Sequence, residues 1–468
     1  MGDHILLLTG KFAEKSLRRL MDSIAPRDFT FEILNIGVSV AALMTVDMIM
    51  RRLSDARGAS RILLPGLCVG DLDAAATKFG VPVQRGPVDL KDLPAHFGTG
   101  GRPPDLSRHD MQIFAEIVDA PNISVEQILK RAEAYKRDGA DVIDVGSLPS
   151  TPFPHLEEAV RALREAGHQV SVDSMEPEEL RRGGQAGAHY LLSLKESTLY
   201  LTDEVDSVPV LIPESPGDMD SLYRAIDELA ARGRRFIADS ILDPIHFGFT
   251  DSLLRYAALR RARPDAGILM GTGNLTELTD ADSAGVTAVL MGIVSELHIT
   301  NVLIVQVSPH CRRAVRETDA ARRLMFAARD EGSLPSGLGG ALLCLHDRKP
   351  FPNSPAEIAE TAAMVADDNF RVEAGPDGVH VYNRQGHHVA GDPFALYPHL
   401  GVEDDGGHAF YLGVETAKAH IAWQLGKRYV QDEPLAWGCA VDRPADDPLR
   451  HKAAGTTLTR RRRDPERP

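Results

Sequence analysis

The chain reads as an α/β protein: a (β/α)8 TIM barrel, with a small doubly wound α/β domain before it and an α+β domain after it. Three observations carry this reading. Eight short apolar runs follow one another between about residues 110 and 330, each with a helix or loop after it. Two of the runs, GADVIDVG (139–146) and HQVSVDS (168–174), end on carboxylates, Asp144 and Asp173. The chain is 468 residues long and 43% hydrophobic, enough for about three domains with ordinary cores.

Residues 1–100 alternate between periods. HILLLTG (4–10), FTFEILNIG (29–37) and RILLPG (61–66) are expected strands. Residues 11–24, 41–53 and 71–79 have helical spacing, which makes a small doubly wound unit. HFGTGGRPPDLSRHD (96–110) is rich in Gly, Pro and polar residues and reads as a linker.

The barrel is expected over 108–332. Its eight candidate strands are 113–121, 141–146, 169–174, 190–195, 208–215, 235–243, 267–273 and 301–308. Ser124 and Gln127 form a capping box that opens a helix over 125–137, stopped by Gly139. Residues 219–232 and 280–297 also show helical spacing, and the segment after the fourth strand is the weakest repeat. An open doubly wound sheet is the alternative. SLPSGLGG (333–340) is a linker into an α+β domain over 340–440, with helices at 355–366 and 408–426 and an antiparallel sheet within 371–393. Residues 441–468 read as a disordered tail.

Composition narrows the function. No window is apolar enough to span a membrane, and the N-terminus lacks the basic start and cleavage site of a signal peptide. Met-Gly-Asp resembles a myristoylation start only superficially. The formal charge of −15 argues against a nucleic-acid partner, and the basic run Arg460 to Arg463 belongs to the tail. Cys68, Cys311, Cys344 and Cys439 are scattered, without a CxxC, which fits a reducing cytosol and argues against a cysteine metal site. A cytoplasmic protein with no membrane partner is expected.

Groups at the carboxyl ends of barrel strands face one mouth. Here they are Glu116, Asp144, Asp173, Ser193 with Lys195, Glu214, Asp239 with Asp243, Thr272 with Asn274, and Gln306 with Ser308. Carboxylates dominate. A carboxylate accepts two parallel N–H bonds from a flat amidine-like edge, such as that of a pterin. An amide such as Asn274 can both donate and accept, and a lysine can hold a carbonyl oxygen. The bland alternative is that these acids cap helices: Asp173 precedes EPEEL, and Asp243 precedes a loop.

GADVIDVG, SVDSMEPEEL and ILDPIHFGF, in that order, resemble the signature segments of the pterin-binding barrels, the dihydropteroate synthases and methyltetrahydrofolate-binding methyltransferases. The resemblance covers about residues 110–330. It implies that Asp173 and Asp243 grip the pterin ring and that Asn274, in GTGN, is a third contact in the methyltransferase manner. Several positions depart from the family. Glu116 stands where synthases carry a metal- and pyrophosphate-binding Asn, and Ser193 where they carry a pterin-contacting Asn. The Ser-Thr-Arg-Pro loop is reduced to Pro149-Ser-Thr-Pro152, and the last strand reads VQVSPHCRR, leaving Arg312 and Arg313 as candidate cations. The three-part layout, with HAFYLGVETAKAHIAWQLG (408–426), is similar to synthase-related proteins of methanogens and of methylotrophs that use tetrahydromethanopterin.

The remaining motifs are weaker. GTGGRP (98–103) and GTGN lack the GK[ST] of a phosphate loop. His387 and His388 read as solvent-facing, His310 and Cys311 as packing, and His408 and Tyr411 as helix-start residues near the mouth.

The expected function is a dihydropteroate synthase-like transferase of one-carbon cofactor biosynthesis, with a pterin and an arylamine as small-molecule partners. Lys195 and Asp173 are the catalytic candidates. Glu116, Asp144, Asp173, Ser193, Asp243 and Asn274 are the substrate-binding candidates. No metal ligand set is assigned and no cofactor is firm, with Mg2+ left open and a homodimer compatible. The alternatives are a methyl-tetrahydropterin-binding methyltransferase and a pterin-binding protein without catalysis.

Overall fold

A computed structural model describes residues 3–11, 13–24, 28–87, 90–98 and 105–442. The chain divides into two compact units, Met1–Asp105 with Ala359–Ala366, and Leu106–Ile358 with Asp367–Pro468.

The first unit holds four parallel strands, β1 (Asp3–Thr9), β2 (Phe29–Asn35), β3 (Arg61–Leu64) and β4 (Val83–Arg85), in the order β2-β1-β3-β4. The run Ile5 to Leu8 is buried because β1 has helices on both faces. The helix expected over 41–53 is broken. A 3-10 turn at Ala41–Leu43 precedes a helix at Val46–Arg52, because Thr45 takes extended angles and its hydroxyl accepts from the Met48 amide at 3.2 Å. Strand β4 was not anticipated, being only three residues long.

The second unit contains the barrel. Its strands are β5 (Gln112–Ile117), β6 (Val142–Gly146), β7 (Gln169–Asp173), β8 (Tyr190–Leu194), β9 (Val208–Leu211), β10 (Ile237–Ala238), β11 (Gly267–Gly271) and β12 (Asn301–Ile304). Each pairs in parallel with the next, and β12 pairs with β5, so the sheet closes. All eight fall within or beside the runs read from the sequence. The capping box of Ser124 with Gln127 is formed, and Gly139 ends that helix at φ 113°.

Alternation along the strands decides what faces inward. Phe114, Val142, Tyr190, Leu192, Val210, Ile237 and Leu269 form an apolar plug inside the barrel. Two residues further along, on the same face, come Glu116 on β5, Asp144 on β6 and Asp239 just after β10. The floor of the mouth is therefore apolar and its next layer acidic.

At the opposite end the ring is clasped by Arg322, which is 2% exposed. It sits on the last barrel helix, Ala314–Asp330. Its guanidinium donates to Met111 O at 2.6 Å, to Gly139 O at 3.0 Å, to Asp319 at 2.7 Å and to Asp141. Asp141 also accepts the Ile113 amide at 2.9 Å, so one cation joins the last helix to the starts of β5 and β6.

Beyond the barrel, β13 (Arg371–Gly375), β14 (Gly378–Asn383) and β15 (Gly386–Ala390) form the expected antiparallel sheet. The helix Gly406–Leu425 covers it, through Leu412, Ala419 and Ala422 against Val372, Val379 and Val381, and ends at Gly426 with φ 57°. No helix among the described residues is long and apolar enough to cross a membrane. Part of the expected linker (99–104) and most of the tail, with Arg460 to Arg463, lie outside the described residues.

Removing the Arg322 cation would leave Asp141 and Asp319 without their shared partner. Arg322→Met is expected to cost about 3–5 kcal/mol of unfolding free energy, measured by urea denaturation. A cost below about 1 kcal/mol would show that the clasp is not needed to close the ring.

Candidate functional site

The mouth holds a cavity of about 520 Å³. Its polar lining includes Glu116, Asp173, Ser193, Lys195, Asp239 and Asn274, with Glu214 and Glu277 at the rim. That size suits a bicyclic ligand.

Backbone register brings the acids together. Glu116 is opposite Asp144 across β5 and β6, and Gly146 is opposite Asp173 across β6 and β7. Glu116, Asp144 and Asp173 each offer an oxygen within 4.8 Å of the others. Gly146 makes room for this: a Cβ there would stand 2.5 Å from Glu116 Oε1. Asp144 is fully buried below the cavity; its Oδ1 accepts from Ser171 Oγ, while its Oδ2 has no hydrogen-bond partner. Asp173 does not cap a helix. It accepts from Ser193 Oγ at 2.7 Å, and the following helix, Pro177–Gln185, starts at Glu176.

Ser193 reaches Asp173 because the β8–β9 register shifts between Leu191 and Leu194, and Ser193 itself takes φ 74°. Lys195 lines the same cavity and is its one cation; among the described residues its ammonium has no hydrogen-bond or ion-pair partner.

The sixth strand end departs from the expectation. Asp243 does not line the cavity. Its Oδ2 is bound by Arg255 at 2.6 Å, which also donates to Ile241 O at 3.0 Å. The ion pair holds this carboxylate in the loop after β10. Asp239 occupies the mouth instead. It accepts from Tyr256 OH and, at 2.7 Å, from the Ile241 amide. Tyr256 is wholly buried, and Ile241 is held at φ 64°, a backbone conformation costly for a β-branched residue. Asn274 donates to Leu242 O at 2.7 Å, which turns its amide along the cavity wall and leaves its carbonyl without a partner among the described residues.

Other candidates are engaged elsewhere. Glu214 accepts from the Ser197 amide at 3.1 Å and hydroxyl at 2.9 Å. Thr272 Oγ1 donates to Leu303 O, and Gln306 Oε1 accepts from Val315 N at 3.3 Å. Arg312 is exposed, and Arg313 pairs with Asp442 at 2.8 Å. Cys311 Sγ and His310 Nε2 both face Thr276 O, at 3.0 and 3.1 Å. His387 meets His380 at 3.0 Å, His388 stacks on His399, and Tyr411 donates to Asp432 at 2.8 Å. Glu277, which the sequence reading missed, accepts the Val307 and Ser308 amides at 2.8 Å each and so holds the loop after β12 at the rim.

Burial raises all four inner carboxyls above the usual carboxylate range. For Glu116 the neighbouring Asp173 charge adds to it, and for Asp144 the charges of Asp173 and Glu116 do. In Asp173 burial outweighs the Ser193 hydrogen bond. Asp239 is pushed up to about 6 by burial, against hydrogen bonds from Tyr256 and the Ile241 amide.

These shifts fix the sign of a pH dependence. A carboxyl that holds its proton more tightly in the folded chain lends stability in full below its unfolded pKa, near 4, and loses it as pH rises through the folded value. For Asp239 that window runs from about 4 to about 6. Urea denaturation in EDTA should show stability falling across it, and Asp239→Asn should recover roughly 1–2 kcal/mol of that fall. Parallel pH profiles for the two proteins would contradict the assignment.

Similarity to known proteins divides along the chain. Residues 3–88 match a family of unknown function, DUF6513. Over 523 aligned positions the chain is 26% identical to an uncharacterized protein of Methanocaldococcus jannaschii, covering 92% of this chain and 98% of that protein. Among solved structures, the dihydropteroate synthase of Yersinia pestis with a pterine-sulfa conjugate is 19% identical, with a TM-score of 0.38, over 48% of this chain and 95% of that one. The synthase of Burkholderia cenocepacia complexed with 7,8-dihydropteroate is also 19% identical, with a TM-score of 0.37, over 48% of this chain and 93% of that one.

Proposed function

We propose that the barrel binds a reduced pterin and acts as a dihydropteroate synthase-like transferase. It would join the pterin's methylene carbon to an arylamine in tetrahydromethanopterin- or folate-type cofactor synthesis in the cytoplasm. The observation that carries the reading is the pair of inner carboxylates, Asp173 and Asp239, on one cavity of about 520 Å³ with Asn274 beside them. The motif resemblance of β6, β7 and the loop after β10 supports it independently.

The chemistry follows from the donor and acceptor inventory. The pterin's amino and ring N–H groups suit Asp173 and Asp239, and its ring oxygen suits a donor. As the exocyclic carbon–oxygen bond breaks, positive charge spreads into the ring, and the carboxylates stabilise it from fixed positions. The amine nitrogen forms the new bond and passes its proton to the departing oxyanion, which Lys195 would face. A diphosphate departing from the pterin's methylene carbon would meet only this one cation among the lining side chains.

A divalent ion would ease that burden. Glu116, Asp144 and Asp173 form an all-oxygen donor set, and the buried Asp144 Oδ2 is an acceptor with no hydrogen-bond partner. These three would hold Mg2+, which would offset their charge and balance an anionic leaving group. The scarcity of cations also favours the second reading, a methyl-tetrahydropterin-binding methyltransferase, in which Asn274 lies beside the methyl-bearing nitrogen and no diphosphate departs.

Calorimetry separates the readings. The synthase reading expects 6-hydroxymethyl-dihydropterin diphosphate to bind more tightly than the plain alcohol, and a methylated tetrahydropterin to bind most weakly. Asp173→Asn should weaken pterin binding by roughly 10–100-fold, the worth of a charge-assisted hydrogen bond, whereas Asp243→Asn should change it less than about threefold. Preference for the methylated pterin would move the assignment to the methyltransferase. No binding of any pterin would end both.

A further inference from the structure

The two cysteines nearest the C-terminal part of the described chain lie side by side. Cys344 Sγ is 3.8 Å from Cys439 Sγ, although 95 residues separate them. Cys344 belongs to the loop after the barrel, and Cys439 to a short turn, Gly438–Ala440, beyond the last helix. Two features hold these backbones together. The Cys439 amide donates to Ala341 O at 2.7 Å. Gly438 takes φ 53°, and a Cβ there would stand 2.3 Å from Ala341 O, so only glycine allows the approach.

The surroundings distinguish the two sulfurs. Cys439 is 3% exposed, while Cys344 is half-buried. The two thiols share a hydrogen bond, and this contact lowers the Cys344 thiol below the ordinary range despite its partial burial. A buried cation also stands close: Lys427, fully buried, donates to Cys344 O at 3.1 Å and lies 5.0 Å above the Trp437 ring. A half-buried sulfur with a deeply buried thiol in contact is the arrangement of an attacking and a resolving cysteine.

We propose that Cys344 and Cys439 are a redox-active pair, oxidised to a disulfide by hydroperoxides. The Cys344 thiolate attacks one peroxide oxygen, which stays on the sulfur; the O–O bond breaks, and the other oxygen leaves after protonation, as water from hydrogen peroxide or as the alcohol from an organic hydroperoxide. The resulting sulfenic acid is attacked by the Cys439 sulfur, which gives up its proton, and a second water leaves as the S–S bond forms. The dithiol loses two electrons and two protons, and the peroxide gains both. The sulfurs need only close from 3.8 Å to the roughly 2 Å of a disulfide. The bridge fastens the loop after the barrel to the turn that leads into Asp442, whose carboxylate pairs with Arg313 and Arg316 at the head of the last barrel helix. Oxidation therefore closes residues 344–439, which include the C-terminal sheet and helix, into one covalent loop, and a thiol reductant reopens it.

The test uses the full-length protein, with hydrogen peroxide as the probe. Of the four free thiols, two are expected to disappear, the intact mass to fall by two hydrogen atoms, and a tryptic peptide joining Cys344 to Cys439 to appear. Before oxidation, Cys344 should be alkylated at neutral pH faster than Cys68 or Cys311, both of which are buried. Cys439→Ser should abolish the joined peptide and leave Cys344 trapped as a sulfenic acid, captured by dimedone. The proposal is overturned if all four thiols survive peroxide, or if the joined peptides contain Cys68 or Cys311 instead.

Discussion

Four carboxyl groups are buried at the mouth of one barrel, and that burial, to which their mutual repulsion adds, is the constraint that the rest of the site answers. Glu116, Asp144 and Asp173 lie within one ligand sphere of each other, and Asp239 faces the same space. A buried carboxylate without a partner is costly, so such a cluster persists only where neighbours donate to it, protons stay bound or a cation is accepted. Each neighbour has a recognisable part. Ser171 donates to Asp144, Ser193 to Asp173, and Tyr256 to Asp239. What these leave unmet, above all Asp144 Oδ2, is the capacity for a positively polarised guest.

The scaffold bends locally to hold these donors. Ser193 and Ile241 both adopt left-handed backbone angles at the rim, one at a break in strand register and one under an aspartate's hydrogen bond. Strain of this kind survives only where the surroundings over-determine it. On the far side of the ring the burden is different. Arg322 neutralises Asp141 and Asp319 outright, so those acids have a structural role while the mouth acids remain available. The same contrast separates Asp239 from Asp243, four residues apart: Arg255 satisfies the second and leaves the first to the cavity.

Much of this was legible before any coordinates. Eight apolar runs with helices between them gave the closed ring, and the capping box at Ser124 and the stop at Gly139 set one helix to the residue. Glu116, Asp173, Ser193, Lys195 and Asn274 were named from strand ends and do share the cavity. The family resemblance in ILDPIHFGF points to Asp243 rather than Asp239, but β10 spans only Ile237 and Ala238. Counting by twos from Ile237, which plugs the barrel, reaches Asp239; Asp243 lies out in the loop. Glu277 was hidden because it follows a helix of a single short turn, and the neighbourhood of Cys344 and Cys439 because they stand 95 positions apart.

The central claim is that the acidic mouth reads the hydrogen-bonding edge of a flat, nitrogen-rich ring. The most direct measurement is a crystal structure of the protein with 6-hydroxymethyl-7,8-dihydropterin. The account predicts the ring within the mouth, its N–H groups on the carboxylates of Asp173 and Asp239, and Asp243 still on Arg255. A ring bound elsewhere, or one that reaches Asp243 after its ion pair has opened while Asp239 stays uninvolved, would contradict it.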